Sequence, residues 1–211
     1  TNADIEIEST NSNQATVELD NNRNRRYELK ADVKGDTLEI EVKRRWIHWF
    51  TFNFFDSAPD LKVYLPEKTY DLVKAKTDNG TVTIENLNAY EANAESANGK
   101  IVLDEITAKT ISALTRNGKI EMEELDGEIV AKSSNGAIEL ETKSLDHPIE
   151  MKTNNGNIKI KSATQPKNVT FELDTRNGNI RVFGDKHFDT VVGNGKNMVK
   201  LTTHNGNITI E

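Results

Sequence analysis

Carboxylates are the most numerous side chains in this sequence that could do chemistry. The 211 residues include 34 Asp and Glu, and paired carboxylates cleave glycosidic bonds as general acid and base or nucleophile. Several lie three or five positions after a glycine, and cationic residues then replace them: Glu85, Asp104, Glu121, Glu123, Glu139, Glu141, then Lys159, Lys161 and Arg181. Because all of them occupy periodic positions, no catalytic pair is distinguished. We expect a solvated acidic strip, open to divalent cations, that continues into a basic one.

Other catalytic chemistry has little support in the sequence. The four histidines are scattered without metal-ligand spacing, and cysteine is absent. No nucleophile elbow or phosphate loop occurs. The glycine-rich stretch 193–196 lacks a strand-to-helix context, so we interpret it as a turn. The sequence therefore favours a protein without catalytic residues, metal site or cofactor.

The most unusual local segment combines arginines with aromatic residues. Six of the thirteen aromatic residues lie between positions 46 and 55. The candidate contact residues are Arg44, Arg45, Trp46, Trp49, Phe50, Phe52, Phe54 and Phe55. Rings beside cations are typical of membrane interfaces, and exposed aromatic patches also mark protein or glycan contacts. Alternatively, these large rings fill an open end of the core.

A repeat must position these groups. The dipeptide Asn-Gly recurs seven times in one sequence frame, and successive asparagines of this frame are 19, 19, 18, 20, 22 and 28 residues apart. The asparagines are Asn79, Asn98, Asn117, Asn135, Asn155, Asn177 and Asn205. A hydroxyl residue stands two positions before each asparagine, and apolar residues stand two and four positions after each glycine. This pattern predicts one half-buried strand per unit, and a period near 20 is typical of repeat architectures.

Two architectures fit the repeat. Asn-Gly between alternating strands is a strong hairpin signal because both residues tolerate positive φ, and seven hairpins would form an antiparallel meander or barrel. In a β-solenoid, each unit is one coil and equivalent residues stack about 4.8 Å apart. The hydroxyl residues favour the solenoid, because stacked polar side chains can hydrogen-bond in ladders. We therefore predict an all-β, single-stranded β-helix with coils of about 19 residues and Asn-Gly corners.

The asparagine column has a structural and a ligand-binding interpretation. Asn and Gly form turns on backbone grounds alone, so the side chains would cap one another at the coil corners. In the other interpretation, the column is a row of ligand contacts. We favour the structural interpretation.

The chain divides into two parts. Residues 1–70 lack Asn-Gly but alternate in strand patterns, and we expect irregular first coils that cap the array. Residues 71–211 contain the repeats, with loops near 165–167 and 184–197. No convincing long helix is predicted.

Composition excludes several classes. The formal net charge is −7 and no basic groove is concentrated anywhere, which disfavours nucleic-acid binding. No apolar stretch approaches the roughly 18 residues of a membrane span. Because the chain starts at Thr1 without Met, we expect that a removed signal or anchor segment precedes it.

The unit 77–84 (TDNGTVTI), and the lead-in 61–66 (LKVYLP) before Leu72 and Val73, resemble a bacterial "putative adhesin" β-strand-repeat family, a domain of unknown function. The likeness covers about residues 38–211. It implies a right-handed, single-stranded β-helix in an envelope protein, often tethered by an N-terminal membrane segment. Some members accompany envelope-stress response systems of Gram-positive bacteria. The family has no established catalytic residues to carry over.

These observations favour a non-enzymatic, extracytoplasmic interaction or scaffold module of the bacterial cell envelope, linked to envelope stress. Its expected partner is a protein, a glycan or a membrane surface, with no nucleic acid. Two alternatives remain open. One is an enzyme that acts on envelope polysaccharide along the acidic strip, and the other is a self-assembling structural protein, a homo-oligomer joined through strand edges or the aromatic segment.

Overall fold

The computed structural model describes residues 2–20, 27–44, 58–186 and 189–211, which contain strands and turns but no helix. The strands are β1 Asp4–Thr10, β2 Thr16–Asp20, β3 Tyr27–Lys34, β4 Thr37–Arg44, β5 Asp60–Pro66, β6 Thr69–Thr77, β7 Val82–Ser96, β8 Ile101–Asn117, β9 Ile120–Glu123, β10 Asp126–Asn135, β11 Ile138–Thr142, β12 Ile149–Asn155, β13 Ile158–Ser162, β14 Val169–Asn177, β15 Ile180–Val182, β16 Val191–Val192, β17 Asn197–Asn205 and β18 Ile208–Ile210. The all-β prediction is confirmed for these residues.

The described strands form one long, curled sheet of 16 strands and a separate two-stranded sheet. The first side of the curled sheet contains β1, the start of β7 and β8, then β9, β11, β13, β18 and β15; the second side contains β6, the end of β7 and β8, then β10, β12, β17 and β14. Equivalent residues of successive units are parallel neighbours, as Val82, Ile101 and Ile120 are. Since a meander requires antiparallel pairing, the solenoid-like architecture is correct and the meander is not.

The core lies between the two sides. The apolar residues after each Asn-Gly face inward, and Ile84, Ile101 and Ile120 are fully buried. A single apolar residue at the bend between the sides is also buried in four units, at Leu87, Ile106, Leu125 and Leu145. The bend uses left-handed backbone at Asn86, Glu105 and Glu124, with φ between 47° and 53°. Period-two alternation thus buries one face of each strand and leaves the other in solvent.

The stacking order of the last three units differs from their order in the chain. The final strands β17 and β18 lie between β12–β13 and β14–β15. The coil of β14 and β15 is therefore outermost, although it precedes the final coil in the chain. Residues 183–196 connect it to the final coil, which lies beneath it. Within that connection, β16 pairs antiparallel with the outer edge of β14.

The N-terminal part adds strands beyond the first repeat. β1 pairs in parallel with β7 on one edge and with β5 on the other, and β2 pairs antiparallel with β5. The hairpin β3–β4 turns at Gly35, whose φ is 61°. Its base packs on the core through the buried side chain of Val42, while Val33 near its tip is exposed.

Candidate functional site

The asparagine side chains form one continuous hydrogen-bonded row along an exposed corner of the sheet. We call this row the Asn ladder; in stacking order it contains Asn2, Asn79, Asn98, Asn117, Asn135, Asn155, Asn205 and Asn177. Each Nδ2 donates to the Oδ1 of the preceding member over 2.7–2.8 Å. The amides therefore stabilise one another, and their remaining hydrogen-bonding capacity faces solvent.

The ladder begins with a unit that lacks Asn-Gly and that the repeat did not predict. Asn2 accepts from Asn79, and the following Ile5 and Ile7 pair in register with Val82 and Ile84. Here Ala3 stands where the other units have glycine. The spacing Asn-x-x-Ile-x-Ile at residues 2–7 was the available signal.

The repeated glycines are required by close stacking and not by positive φ. None of the seven glycines of the repeat frame, from Gly80 to Gly206, has a left-handed φ. Instead, a Cβ added to Gly99 would lie 1.8 Å from the carbonyl oxygen of Gly80, and one on Gly118 would lie 1.9 Å from that of Gly99. Ala3 can carry a Cβ because it occupies the first layer of this glycine stack. The expectation that turn conformation selects Gly was therefore wrong in its physical reason.

The hydroxyl residues before each Asn-Gly donate to a backbone carbonyl of the neighbouring layer, which belongs to Ala3 for Thr77 and to a glycine in the other six units. Their oxygens donate over 2.8–3.1 Å, for example from Thr153 to Gly136 and from Thr203 to Gly156. The hydroxyl ladder that stacking suggested does not form, because each of these hydroxyls donates to a backbone carbonyl instead. Six of these residues are buried: Thr77, Ser96, Thr115, Ser133, Thr153 and Thr203. Each corner is thus joined to the next by a side-chain amide and a hydroxyl.

The outward residues of the first side form the acidic strip. We call its longest row the carboxylate column; its members pair in register as Glu8, Glu85, Asp104, Glu123 and Glu141, and Lys161 follows. The adjacent row is neutralised by lysines: Lys119 lies 3.0 Å from Glu121 and 2.8 Å from Glu139. An open depression runs over both rows.

Electrostatics differ between the two rows. In the carboxylate column, burial, Asp104 and further acidic neighbours raise the pKa of Glu85. In the adjacent row, the hydrogen bond from Lys100, aided by Lys119, lowers the pKa of Glu121. The fold therefore disfavours ionised Glu85 and favours ionised Glu121.

Glu85→Gln is expected to raise the stability at pH 7 by about 0.5 kcal/mol, the usual size of a cross-strand like-charge repulsion. A raised folded pKa means that ionisation costs stability above that pKa and costs none below the unfolded value. The gain should therefore shrink as the pH falls through the folded pKa towards 4.5. Urea unfolding at pH 7, 5.5 and 4 measures it.

Glu121→Gln is the matched control, because the pKa of Glu121 is shifted in the opposite direction from that of Glu85. Its depressed folded pKa contributes stability above the unfolded pKa, and this contribution disappears as the pH falls through the folded pKa. The variant should be less stable than the parent at pH 7. The same change in stability at pH 7 in both variants would contradict the opposite pKa shifts of Glu85 and Glu121.

Metal and histidine chemistry gain no support from the geometry. Within the described ranges, no three Asp, Glu or His side chains are arranged to hold a metal ion. His147 pairs with Asp126 over 2.8 Å on the surface. Among the candidate contact residues, Arg44 ends β4, whereas Arg45, Trp46, Trp49, Phe50, Phe52, Phe54 and Phe55 lie outside the described residues. No described helix is long and apolar enough to cross a membrane.

Comparison with solved structures finds a similar fold in a bacterial protein. A protein described as a putative adhesin from Bacteroides fragilis has a TM-score of 0.50 and 16% identity over 100% of this chain and 89% of its own. One described as a putative cell adhesion protein from Clostridium sporogenes has a TM-score of 0.40 and 13% identity, over 99% and 87%. No curated protein matches this sequence.

The family model described as Toastrack DUF4097 matches residues 1–125 and again residues 111–211. The two matches overlap and together span the sequence, so the family resemblance inferred from the repeat is confirmed. The chain belongs to the Toastrack DUF4097 family, a domain family of unknown function.

Proposed function

We propose that this chain is a non-enzymatic, adhesin-like interaction module that acts outside the cytoplasm, at the bacterial cell envelope. The observation that carries the proposal is the Asn ladder, which joins eight layers into one stiff array with periodic, solvated faces. Such an array provides an extended surface for contact. The description of the Bacteroides fragilis protein as a putative adhesin supports the same proposal.

The distribution of charge argues against catalysis. The acidic residues lie in register along an open surface, and many pair with lysines, as Glu95 does with Lys74 and Lys76. An active site usually combines a concave pocket with a few convergent groups of distinct pKa. Periodic ion pairs serve solubility and spacing instead.

We assign the partner contact to the segment that starts at Arg44. Strand β4 delivers Arg44 beside Tyr27, and both residues share a surface depression with Asn2, the first member of the Asn ladder. Lys43 lines the same depression. The Arg-aromatic segment 44–55 therefore starts at the N-terminal end of the array, where cations favour an anionic membrane surface.

The finer features of the module are part of this proposal. We propose a right-handed, single-stranded coil of about 19 residues, supported by register offsets of 19, 19, 18 and 20 residues between Val82, Ile101, Ile120, Ile138 and Ile158. Residues 1–70 would cap the repeats of 71–211. An N-terminal anchor and a role in the envelope-stress response of a Gram-positive bacterium complete the reading.

Vesicle co-sedimentation tests the contact. The parent should bind vesicles that contain anionic lipid more strongly than neutral ones, and Trp46→Ser/Trp49→Ser/Phe52→Ser should lose most of this binding. The matched control is Tyr90→Ser, which removes an exposed aromatic residue from the second side of the sheet. Far-UV circular dichroism checks that each variant keeps its β structure.

Two outcomes would contradict the membrane contact. One is absence of parent binding to both vesicle types; the other is equal loss in the triple variant and in the Tyr90 control. Either result would redirect the adhesin proposal to protein or glycan partners, which a glycan array of the parent would address.

A further inference from the structure

The last three coils could stack in two orders. In the observed order, the final coil (197–211) lies between the 149–162 coil and the 169–182 coil. In the sequential order, the 169–182 coil would pair directly with the 149–162 coil, and the final coil would be outermost. The connection 183–196 has 14 residues, which span up to about 46 Å when extended, so its length does not exclude either order.

The contacts at the Asn-Gly corners do not distinguish these orders. Each of the three coils supplies the same corner: a threonine, an Asn-Gly and a second asparagine, as in Thr153, Asn155, Gly156 and Asn157. Thr175 now donates to Gly206, and Thr203 donates to Gly156. In the sequential order, Thr175 could donate to Gly156 instead. The ladder and the glycine stack would also be continuous either way.

The outward charges do distinguish the orders. Lys200 lies in register between Glu150 and Glu172, and its Nζ is 2.5 Å from Glu172. Direct pairing of the 149–162 and 169–182 coils would place Glu150 beside Glu172. Opposite charges across adjacent strands stabilise a sheet, whereas like charges directly opposite destabilise it.

A second row of outward residues, on the first side of the sheet, also favours the observed order. Thr209 separates Lys159 from Arg181, and Glu211 forms an ion pair with Lys159. The sequential order would bring Lys159 and Arg181 together. One row favours the sequential order instead, because the oppositely charged Lys152 and Asp174 would be neighbours only in that order.

We propose that the outward charges of these coils, led by Lys200 between Glu150 and Glu172, select the inserted order from two orders that the inward residues allow equally. The C-terminal coil is thus an insertable element. Its position decides whether the outer edge belongs to β14, which β16 covers, or to β17.

Disulfide trapping in the full chain distinguishes the orders, because the sequence has no native cysteine. Lys152→Cys/Thr202→Cys places cysteines on adjacent strands, about 4.8 Å apart, only when the final coil is inserted. Lys152→Cys/Asp174→Cys joins neighbours only in the sequential order; in the inserted order they are about 9.6 Å apart, beyond the roughly 7 Å limit for a disulfide. Each chain is unfolded, then refolded in a glutathione redox buffer, and the disulfides are quantified by mass spectrometry.

In the otherwise unchanged chain, we expect the 152–202 disulfide to form nearly completely and the 152–174 disulfide to form in less than about a tenth of molecules. Glu172→Lys/Lys200→Glu keeps the composition but makes the sequential order alternate in sign. This exchange should raise the fraction of molecules with the 152–174 disulfide several-fold at low salt. In 1 M NaCl, screening of the charges should suppress the increase.

Phe171→Val is the matched control for packing, because Phe171 is larger than Ile149 and Val199, with which it aligns. It should leave both disulfide yields unchanged. A 152–174 fraction unaffected by the charge exchange, or raised only by Phe171→Val, would overturn the proposal. Loss of both disulfides in the exchanged chain would also overturn it, since both orders preserve the inward contacts.

Discussion

Gly118→Ala is expected to destabilise the fold by more than about 3 kcal/mol, which is exceptional for a single methyl group. The new Cβ would lie 1.9 Å from the carbonyl oxygen and 2.6 Å from the carbonyl carbon of Gly99. Both are backbone atoms of a paired layer, so no side chain can rotate away. Relief would require the corners to separate, which would break the hydroxyl and amide bonds that join them. Urea unfolding followed by circular dichroism measures the loss.

The reciprocal change at the end of the stack is the control. Ala3→Gly removes the Cβ at the position equivalent to Gly118 in the first layer. It should cost no more than about 1 kcal/mol, mainly through the greater backbone entropy of glycine in the unfolded chain. A Gly118→Ala variant with the stability of Ala3→Gly would show that the corners are not packed as closely as described.

Thr153→Val should cost about 1–3 kcal/mol, the penalty for leaving a buried polar group without its partner. Thr153 is 1% exposed, and its Oγ1 donates to the carbonyl oxygen of Gly136 over 2.9 Å. Valine has nearly the same shape, so the change removes the donor while keeping the volume. Thermal and urea unfolding of the purified variant measure the difference from the parent.

Thr153→Ser separates the hydroxyl from the methyl group. Serine occupies this position in two other units, at Ser96 and Ser133, where it donates to Gly80 and Gly118. The variant keeps the hydrogen bond and loses one methyl group, so it should cost about 0.8 kcal/mol or less. A serine variant less stable than the valine variant would contradict the importance of the hydroxyl.

The sequence predicted the parallel solenoid because the repeat places the same residue types in register. The hydroxyl two residues before each asparagine was the deciding signal, although its acceptor is a glycine carbonyl of the neighbouring layer. A periodic pattern reveals which positions stack, but the partner atom depends on the distance between backbones. The need for glycine has the same origin and could not be separated from turn preference by sequence alone.

Two features were not predictable from the repeat. The first unit does not appear in the Asn-Gly repeat because Ala3 stands in place of glycine. This replacement is tolerated only in the first layer of the stack. The inserted position of the final coil does not follow from the repeat, because the core positions of all three last coils are apolar and have the same spacing. In our proposal, outward residues such as Lys200 distinguish their order, and a repeat pattern built on the inward positions does not include them.

The Asn ladder has one further consequence, which follows from its direction. Every Nδ2 points towards the Asn2 end and every Oδ1 points towards the Asn177 end. The amide dipoles are therefore aligned in series along the array and polarise one another, as in a helix. The Asn2 end is the positive pole of this alignment, and Lys43 and Arg44 line the same depression. The solenoid thus has an electrically asymmetric axis whose positive pole lies at the end where we propose contact with an anionic surface.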